Sequence, residues 1–92
     1  MTKPLSELLS GFVRQYGLEQ AMLRQRMPEY WQDVVGKRPA ELSTVHSFEN
    51  GVLTVQVQSA SWRAELHLRR EEIRTKLNAC IGTEAIRELH VK

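Results

Sequence analysis

Apolar residues in the first third of the chain recur three and four positions apart, the spacing of one face of a helix. One such pattern ends at Gly17 and a second begins just after it, so Gly17 is expected to separate two short helices. Pro28 interrupts the second pattern, which predicts a break or kink near Met27. The apolar spacing then resumes and reaches Gly36, and the Lys-Arg-Pro sequence at 37–39 is expected to end helical structure.

The middle of the chain has the period of two that is typical of strands. Even positions from residue 40 to 48 are expected to face inward, which places His46 beside the core. Asn50 and Gly51 both tolerate positive φ and fit a two-residue turn, and a second strand should follow over residues 52–58. These segments predict an antiparallel hairpin.

The last third predicts a long helix and a final strand. Ser61 is expected to cap a helix that runs from about Trp62 to Ala79 and closes at Gly82. Residues 85–91 are long enough for a third strand that pairs with the hairpin. The predicted order is α-α-β-β-α-β, an α+β fold in which a three-stranded sheet packs against helices. The predicted core contains Leu53, Val55, Val57, Trp62, Leu66, Ile73 and Leu77.

Length and composition set limits on what such a chain can do. Its 92 residues predict a single domain over 1–92, too small for a deep catalytic cavity. Hydrophobic residues make up 41% and charged residues 26%, which are ordinary values for a folded protein. The net charge of +2 identifies no partner unless the positive charges gather on one face. A single cysteine, Cys80, allows no internal disulfide, and no leader or membrane-spanning run is present, so a cytoplasmic location is expected.

The positive charges do gather along the long helix. Arg63, His67, Arg70 and Arg74 follow positions i, i+4, i+7 and i+11, which places them in one row, named here the basic stripe. Its centre lies roughly 80° around the helix from the apolar stripe of Trp62, Leu66, Ile73, Leu77 and Cys80. Its arginines span about 16 Å, enough to follow a few phosphates, and Lys37 and Arg38 add a second basic point. The alternative is a solvated face whose arginines pair with nearby glutamates.

Other candidate chemistries are weaker. The indole rings of Trp31 and Trp62 could stack on nucleic-acid bases. Each tryptophan lies in an apolar helical pattern, however, and is better explained as a core residue. One cysteine and three scattered histidines form no zinc pattern, so no metal site and no cofactor are predicted. The chain has no glycine-rich phosphate loop and no nucleophile elbow, and we expect no enzymatic activity.

Four sequence segments, taken in order and spacing, resemble the DciA-like family of bacterial proteins, long labelled a domain of unknown function. They are Tyr30-Trp31-Gln32-Asp33-Val34-Val35-Gly36, Asn50-Gly51-Val52-Leu53-Thr54-Val55-Gln56-Val57, Ser59-Ala60-Ser61-Trp62-Arg63-Ala64-Glu65-Leu66 and Lys76-Leu77-Asn78-Ala79-Cys80-Ile81-Gly82. The resemblance covers nearly the whole chain. It implies a fold similar to the type II KH domain, binding of single-stranded DNA, and association with the replicative helicase that DciA loads in DNA replication.

KH domains that clamp RNA use a Gly-x-x-Gly loop, and the glycines at 11, 17, 36, 51 and 82 never stand three apart. The usual phosphate clamp of KH domains is therefore absent. Three hypotheses for the function remain open. The first is a non-enzymatic adaptor that binds single-stranded DNA through the basic stripe with Lys37 and Arg38, and that contacts the replicative helicase. The second is a KH-like RNA-binding module, and the third is a protein-interaction domain with a solvated basic face. No membrane contact is expected, and the oligomeric state is not predicted.

Overall fold

The first helix is longer and more continuous than its sequence predicts. The computed structural model describes the backbone of residues 5–92 and the side chains of residues 17–92. Helix α1 spans Leu5–Val35 without interruption at Gly17 or Pro28, so the expected separation and the expected break are both wrong. Proline inside a helix costs about 3 kcal/mol. Met27 and Trp31, one turn apart, are 0% and 2% exposed, and burying two large side chains contributes about 3–6 kcal/mol, enough to offset that cost.

The chain then turns sharply and resumes helical structure. Gly36 adopts φ 94°, which ends α1, and helix α2 follows over Lys37–Glu41. The expectation that residues 37–39 end helical structure is therefore wrong. Pro39 lies in the first turn of α2, where a backbone N–H has no helical partner to lose, and its ring is buried.

The predicted hairpin is confirmed, with one change of register. Strand β1 spans Ser43–Glu49, strand β2 spans Val52–Val57, and the two run antiparallel around Asn50 and Gly51, which have φ of 53° and 79°. Val45 pairs with Val55 but Ser47 pairs with Thr54, so His46 is the extra residue of a β-bulge. Thr44 and His46 are both exposed, so their predicted inward position is wrong, whereas Phe48 beyond the bulge is buried as predicted.

The predicted long helix is in fact two helices. Helix α3 spans Ala60–Leu68, helix α4 spans Arg70–Ile81, and Arg69 lies between them with φ −97° and ψ 12°. Ser59, not Ser61, caps α3, because its side-chain oxygen accepts the backbone N–H of Trp62 at 3.3 Å. The predicted end at Gly82 is confirmed by its left-handed conformation, with φ 94°.

A third strand completes the sheet, as predicted. Strand β3 spans Glu88–Val91 and pairs parallel to β2, giving the order β1-β2-β3. The buried Asn78 of α4 holds the approach to this strand. Its side chain accepts the Ile86 N–H at 2.8 Å and donates to the Ile86 carbonyl at 2.9 Å. The α+β class is confirmed, while the likeness to the type II KH fold stays a prediction.

One hydrophobic core joins the helices to one face of the sheet. Six of the seven predicted core residues are buried, and Trp62, the seventh, is partly buried against them. Cys80 is exposed, so its place in the apolar stripe is wrong. The sequence patterns did not single out three further buried residues, Met27, Ile86 and Leu89.

Candidate nucleic-acid interface

The basic stripe is divided by the break at Arg69. Arg63 and His67 lie on α3, whereas Arg70 and Arg74 lie on α4. The four side chains therefore do not form the straight row that a single helix would give. The residues around Arg69 include good helix formers and neither glycine nor proline, so the local sequence does not predict the break.

Arg63 marks one end of the sheet. Its Nη2 donates to the carbonyl of Val57, the last residue of β2, at 2.8 Å, and the side chain is exposed. A guanidinium has five N–H donors, so this bond orients the group and leaves other donors for a ligand. Among the side chains of residues 17–92, no carboxylate forms an ion pair with Arg63.

Arg70 spans the break between the two helices. Its Nη1 donates to the His67 carbonyl at 3.0 Å and lies 3.3 Å from His67 Nε2. The first contact satisfies a carbonyl in the last turn of α3, where helical partners run out. Arg70 and His67 are both exposed, and no described carboxylate pairs with Arg70. The structure thus brings these two members of the stripe together.

Arg74 is the least available member of the stripe. Its side chain is 22% exposed, and its Nε lies 3.1 Å from Glu71 Oε2. Its Nη1 donates to the Ile86 carbonyl at 3.1 Å and lies 3.8 Å from Glu84 Oε2. Arg74 therefore ties α4 to the segment before β3, and its charge is balanced locally.

Acidic partners also neutralise the neighbouring surface of α4. Glu72 accepts hydrogen bonds from Lys76 at 2.9 Å and from Arg69 at 3.4 Å. These two donors, Lys76 first, lower the pKa of Glu72 to about 2, and in return the hydrogen bond with Glu72 raises the pKa of Arg69. This part of α4 fits the description of a solvated face with paired charges.

Lys37 and Arg38 lie at the same end of the sheet as Arg63. They are exposed on α2, and the chain leaving α2 is tied to β2 by the bond from the Gln58 N–H to the Leu42 carbonyl, at 2.8 Å. Arg63 donates to the carbonyl of Val57, which belongs to the same peptide group as the Gln58 N–H. Arg38 makes a weak contact of 3.7 Å with Glu41, both groups being largely exposed.

The two tryptophans are in or against the core. Trp31 is 2% exposed and its Nε1 donates to Ser43 Oγ at 2.8 Å, so it presents no face for stacking. Trp62 is partly buried against the core. Within the described part of the chain, no three metal-ligating side chains gather, and no helix combines the length and apolar content needed to cross a bilayer.

Two further arginines, Arg24 and Arg87, are not among the candidate binding residues predicted from the sequence. Arg24 on α1 and Arg87 before β3 both donate to backbone carbonyls at the hairpin turn, although 63 positions separate them in the chain. No sequence pattern places them together, because only the tertiary fold does so.

Comparison with known proteins identifies relatives over nearly the whole chain. The model of the family described as "Dna[CI] antecedent, DciA" matches residues 4–91. The UPF0232 proteins of Mycobacterium tuberculosis (strain ATCC 25618 / H37Rv) and Mycobacterium ulcerans (strain Agy99) are each 24% identical over 89 residues, covering 97% of this chain and 48% of theirs. The UPF0232 protein of Mycobacterium leprae (strain Br4923) is 22% identical, with coverages of 97% and 47%. The chain thus spans about half the length of the curated relatives that it matches.

Proposed function

We propose that this chain, which belongs to the DciA family, is a non-enzymatic adaptor that binds single-stranded DNA and associates with the bacterial replicative helicase. The observation that carries the DNA-binding part is the state of Arg63 and Arg70. Both are exposed, both are oriented by a backbone carbonyl, and neither pairs with a carboxylate among the described side chains. Such groups are free to bind phosphate.

Binding would act mainly through the phosphates of the strand. Guanidinium groups form strong, charge-assisted hydrogen bonds with phosphate oxygens, and such contacts fix position without reading sequence. Arg63 is held at the end of β2, close to where the chain leaves α2, so Lys37 and Arg38 extend the positive surface there. His67 adds a polar contact beside Arg70. Arg74 contributes little, because two glutamates already surround its charge.

The test compares matched variants on one labelled strand. Binding is measured by the fluorescence anisotropy of a labelled single strand of ~20 nucleotides, a length that exceeds the footprint of one small module. Replacing Arg63 and Arg70 with glutamine should remove most of the affinity while the far-ultraviolet circular dichroism stays unchanged. The control is K76Q, which also removes an exposed positive charge from α4, but one that is already paired with Glu72. Equal losses in the double variant and the control would refute a specific role for Arg63 and Arg70.

A protein-interaction domain with a solvated basic face is the competing function. It is favoured by the ion pairs of Arg69, Arg74 and Lys76, which show that much of this surface is self-neutralised. It predicts no saturable binding of the strand at physiological salt. Replacing the DNA strand with an RNA strand of the same sequence tests the KH-like alternative, because an RNA reader would use the 2′-hydroxyl.

The helicase contact is supported by family membership alone. Sedimentation velocity of the purified chain with the hexameric helicase of the same bacterium should show a complex at tens of micromolar. Absence of a complex under those conditions would refute the helicase association, while leaving the DNA binding to be judged by its own assay.

A further inference from the structure

A depression of about 460 Å³ lies beside the turn between β1 and β2. Its lining includes Arg24 of α1, Arg87, Asn50 and Gly51 of the turn, and Glu84. We call this depression the turn pocket. It lies at the opposite end of β2 from Arg63, about 20 Å away by the length of that strand.

Both arginines are fixed to the turn by hydrogen bonds. Arg24 Nε donates to the Phe48 carbonyl at 2.8 Å, and Arg87 Nη2 donates to the Asn50 carbonyl. Phe48 and Asn50 are two residues apart in the chain, so their Cα atoms lie within about 7 Å of each other. Both side chains line the turn pocket, and each guanidinium keeps donors that these bonds do not use.

The charge of the turn pocket is positive. Among the side chains of residues 17–92, no carboxylate lies within ion-pair distance of Arg24 or Arg87. Glu84 is the acidic residue of the lining, and its Oε2 is already engaged by Asn78 Nδ2 at 3.3 Å and by Arg74 Nη1 at 3.8 Å. Two guanidiniums thus share a concave surface with one carboxylate that has other partners.

Gly51 makes this arrangement possible. A Cβ atom at residue 51 would lie 2.7 Å from Arg87 Nε, and the glycine has φ of 79°. The Arg87 backbone N–H also donates to the Gly51 carbonyl, at 2.7 Å. The main chain and the side chain of Arg87 are therefore both anchored on the turn, so the guanidinium is held in place before any ligand arrives.

We infer that the turn pocket binds one phosphate group of a nucleotide through Arg24 and Arg87, and that a single strand held at Arg63 and Arg70 continues into it. The second part rests on the proposed function. Two guanidiniums at fixed positions match the tetrahedral oxygens of a phosphate better than one mobile side chain does. Arg74, a member of the basic stripe, donates to the carbonyl of Ile86, the residue just before Arg87. This bond connects the basic stripe to the chain segment that lines the turn pocket.

The first arm of the test uses thymidine 5′-monophosphate and the full chain labelled with ¹⁵N. The arginine Nε–Hε signals of Arg24 and Arg87 should shift saturably during the titration. Arg26, exposed on the same helix but outside the lining, should not shift. Shifts of equal size in all three signals would show non-specific screening and overturn the inference. A glutamate-rich peptide that shifts Arg24 and Arg87 when the nucleotide does not would assign the pocket to an acidic protein segment and overturn it as well.

The second arm measures the affinity for an oligo-dT strand of ~20 nucleotides. R24Q and R87Q should each weaken binding about fivefold to tenfold, and the slope of log K against log salt should become less steep by about 0.7 for the one phosphate lost. R26Q is the matched control and should bind like the parent chain. R24K, which keeps the charge, should recover part of the affinity, and the thermal midpoint of each variant verifies that it is folded.

The two proposals fail in distinguishable ways. If the strand binds but thymidine monophosphate leaves Arg24 and Arg87 unmoved and R24Q and R87Q bind like the parent, the turn pocket is refuted and the proposed function stands. If thymidine monophosphate shifts the two signals but no strand binds, the pocket is supported and the proposed function fails.

Discussion

Replacing Asn78 with alanine should destabilise the protein by about 2–3 kcal/mol. The Asn78 side chain is 4% exposed and bonds both polar groups of the Ile86 backbone, at 2.8 and 2.9 Å. After truncation the Ile86 carbonyl still accepts from Arg74, but the buried Ile86 N–H loses this acceptor. An unsatisfied buried donor costs about 1–3 kcal/mol, and the space left by the amide adds to that cost.

Urea denaturation followed by circular dichroism measures this change directly. For a chain of this length, about 2–3 kcal/mol corresponds to a fall in the thermal midpoint of roughly 10–20 °C. T75A is the control, because Thr75 lies on the same helix and is exposed, and its hydroxyl donates only to the Glu71 carbonyl. Its effect should stay within about 0.5 kcal/mol.

An N78A variant with the stability of the parent and an unchanged urea dependence would refute the role given to Asn78.

Three further predictions concern the core, the turn and one surface carboxylate. V55D should unfold the chain, because Val55 is 0% exposed and an unpaired buried charge costs several kcal/mol, so a variant that kept a cooperative thermal transition would contradict the strand assignment. G51A should lower the thermal midpoint, because residue 51 has φ of 79°, which alanine adopts only with strain, and because the added Cβ would lie 2.7 Å from Arg87 Nε; an unchanged midpoint would show that the turn accepts a side chain at no cost. In a carboxyl NMR titration Glu72 should have its midpoint at about 2, moving toward the ordinary value in K76Q. Since the folded pKa of Glu72 is lowered, its small stabilisation is present above the unfolded pKa and lost as the pH falls toward 2; a midpoint near 4.5 in the parent would refute the contacts with Lys76 and Arg69.

Features with a local cause were predictable from the sequence. The alternation of β2, the Asn50-Gly51 turn and the end of α4 at Gly82 each depend on residues within a few positions of one another. The resemblance to the DciA family also rested on such short segments and is confirmed by the family match over residues 4–91.

Features decided by tertiary packing were not predictable. The burial of Met27 and Trp31 carries α1 through Pro28, although local propensity favours a break. The bulge at His46 reverses the alternation within β1, and a count of odd and even positions cannot detect an inserted residue.

The candidate site shows the same division. Helical spacing found the residues of the basic stripe, but it could not show that Arg69 interrupts the helix. Nor could it show that Arg74 is held by Glu71, Glu84 and Ile86, of which the last two are ten or more positions away in the chain. Spacing identifies which residues share a face, whereas the charge of that face depends on partners brought by the fold.

The salt dependence of single-strand binding tests the central claim most directly. Anisotropy titrations of the parent chain over a salt series should give a slope of log K against log salt of about −2 to −3, which corresponds to three or four neutralised phosphates. In the R63Q/R70Q variant the slope should become less steep by about 1.4, the value for two lost contacts. A parent slope near zero, or a folded double variant with the parent's slope and affinity, would contradict phosphate binding by Arg63 and Arg70.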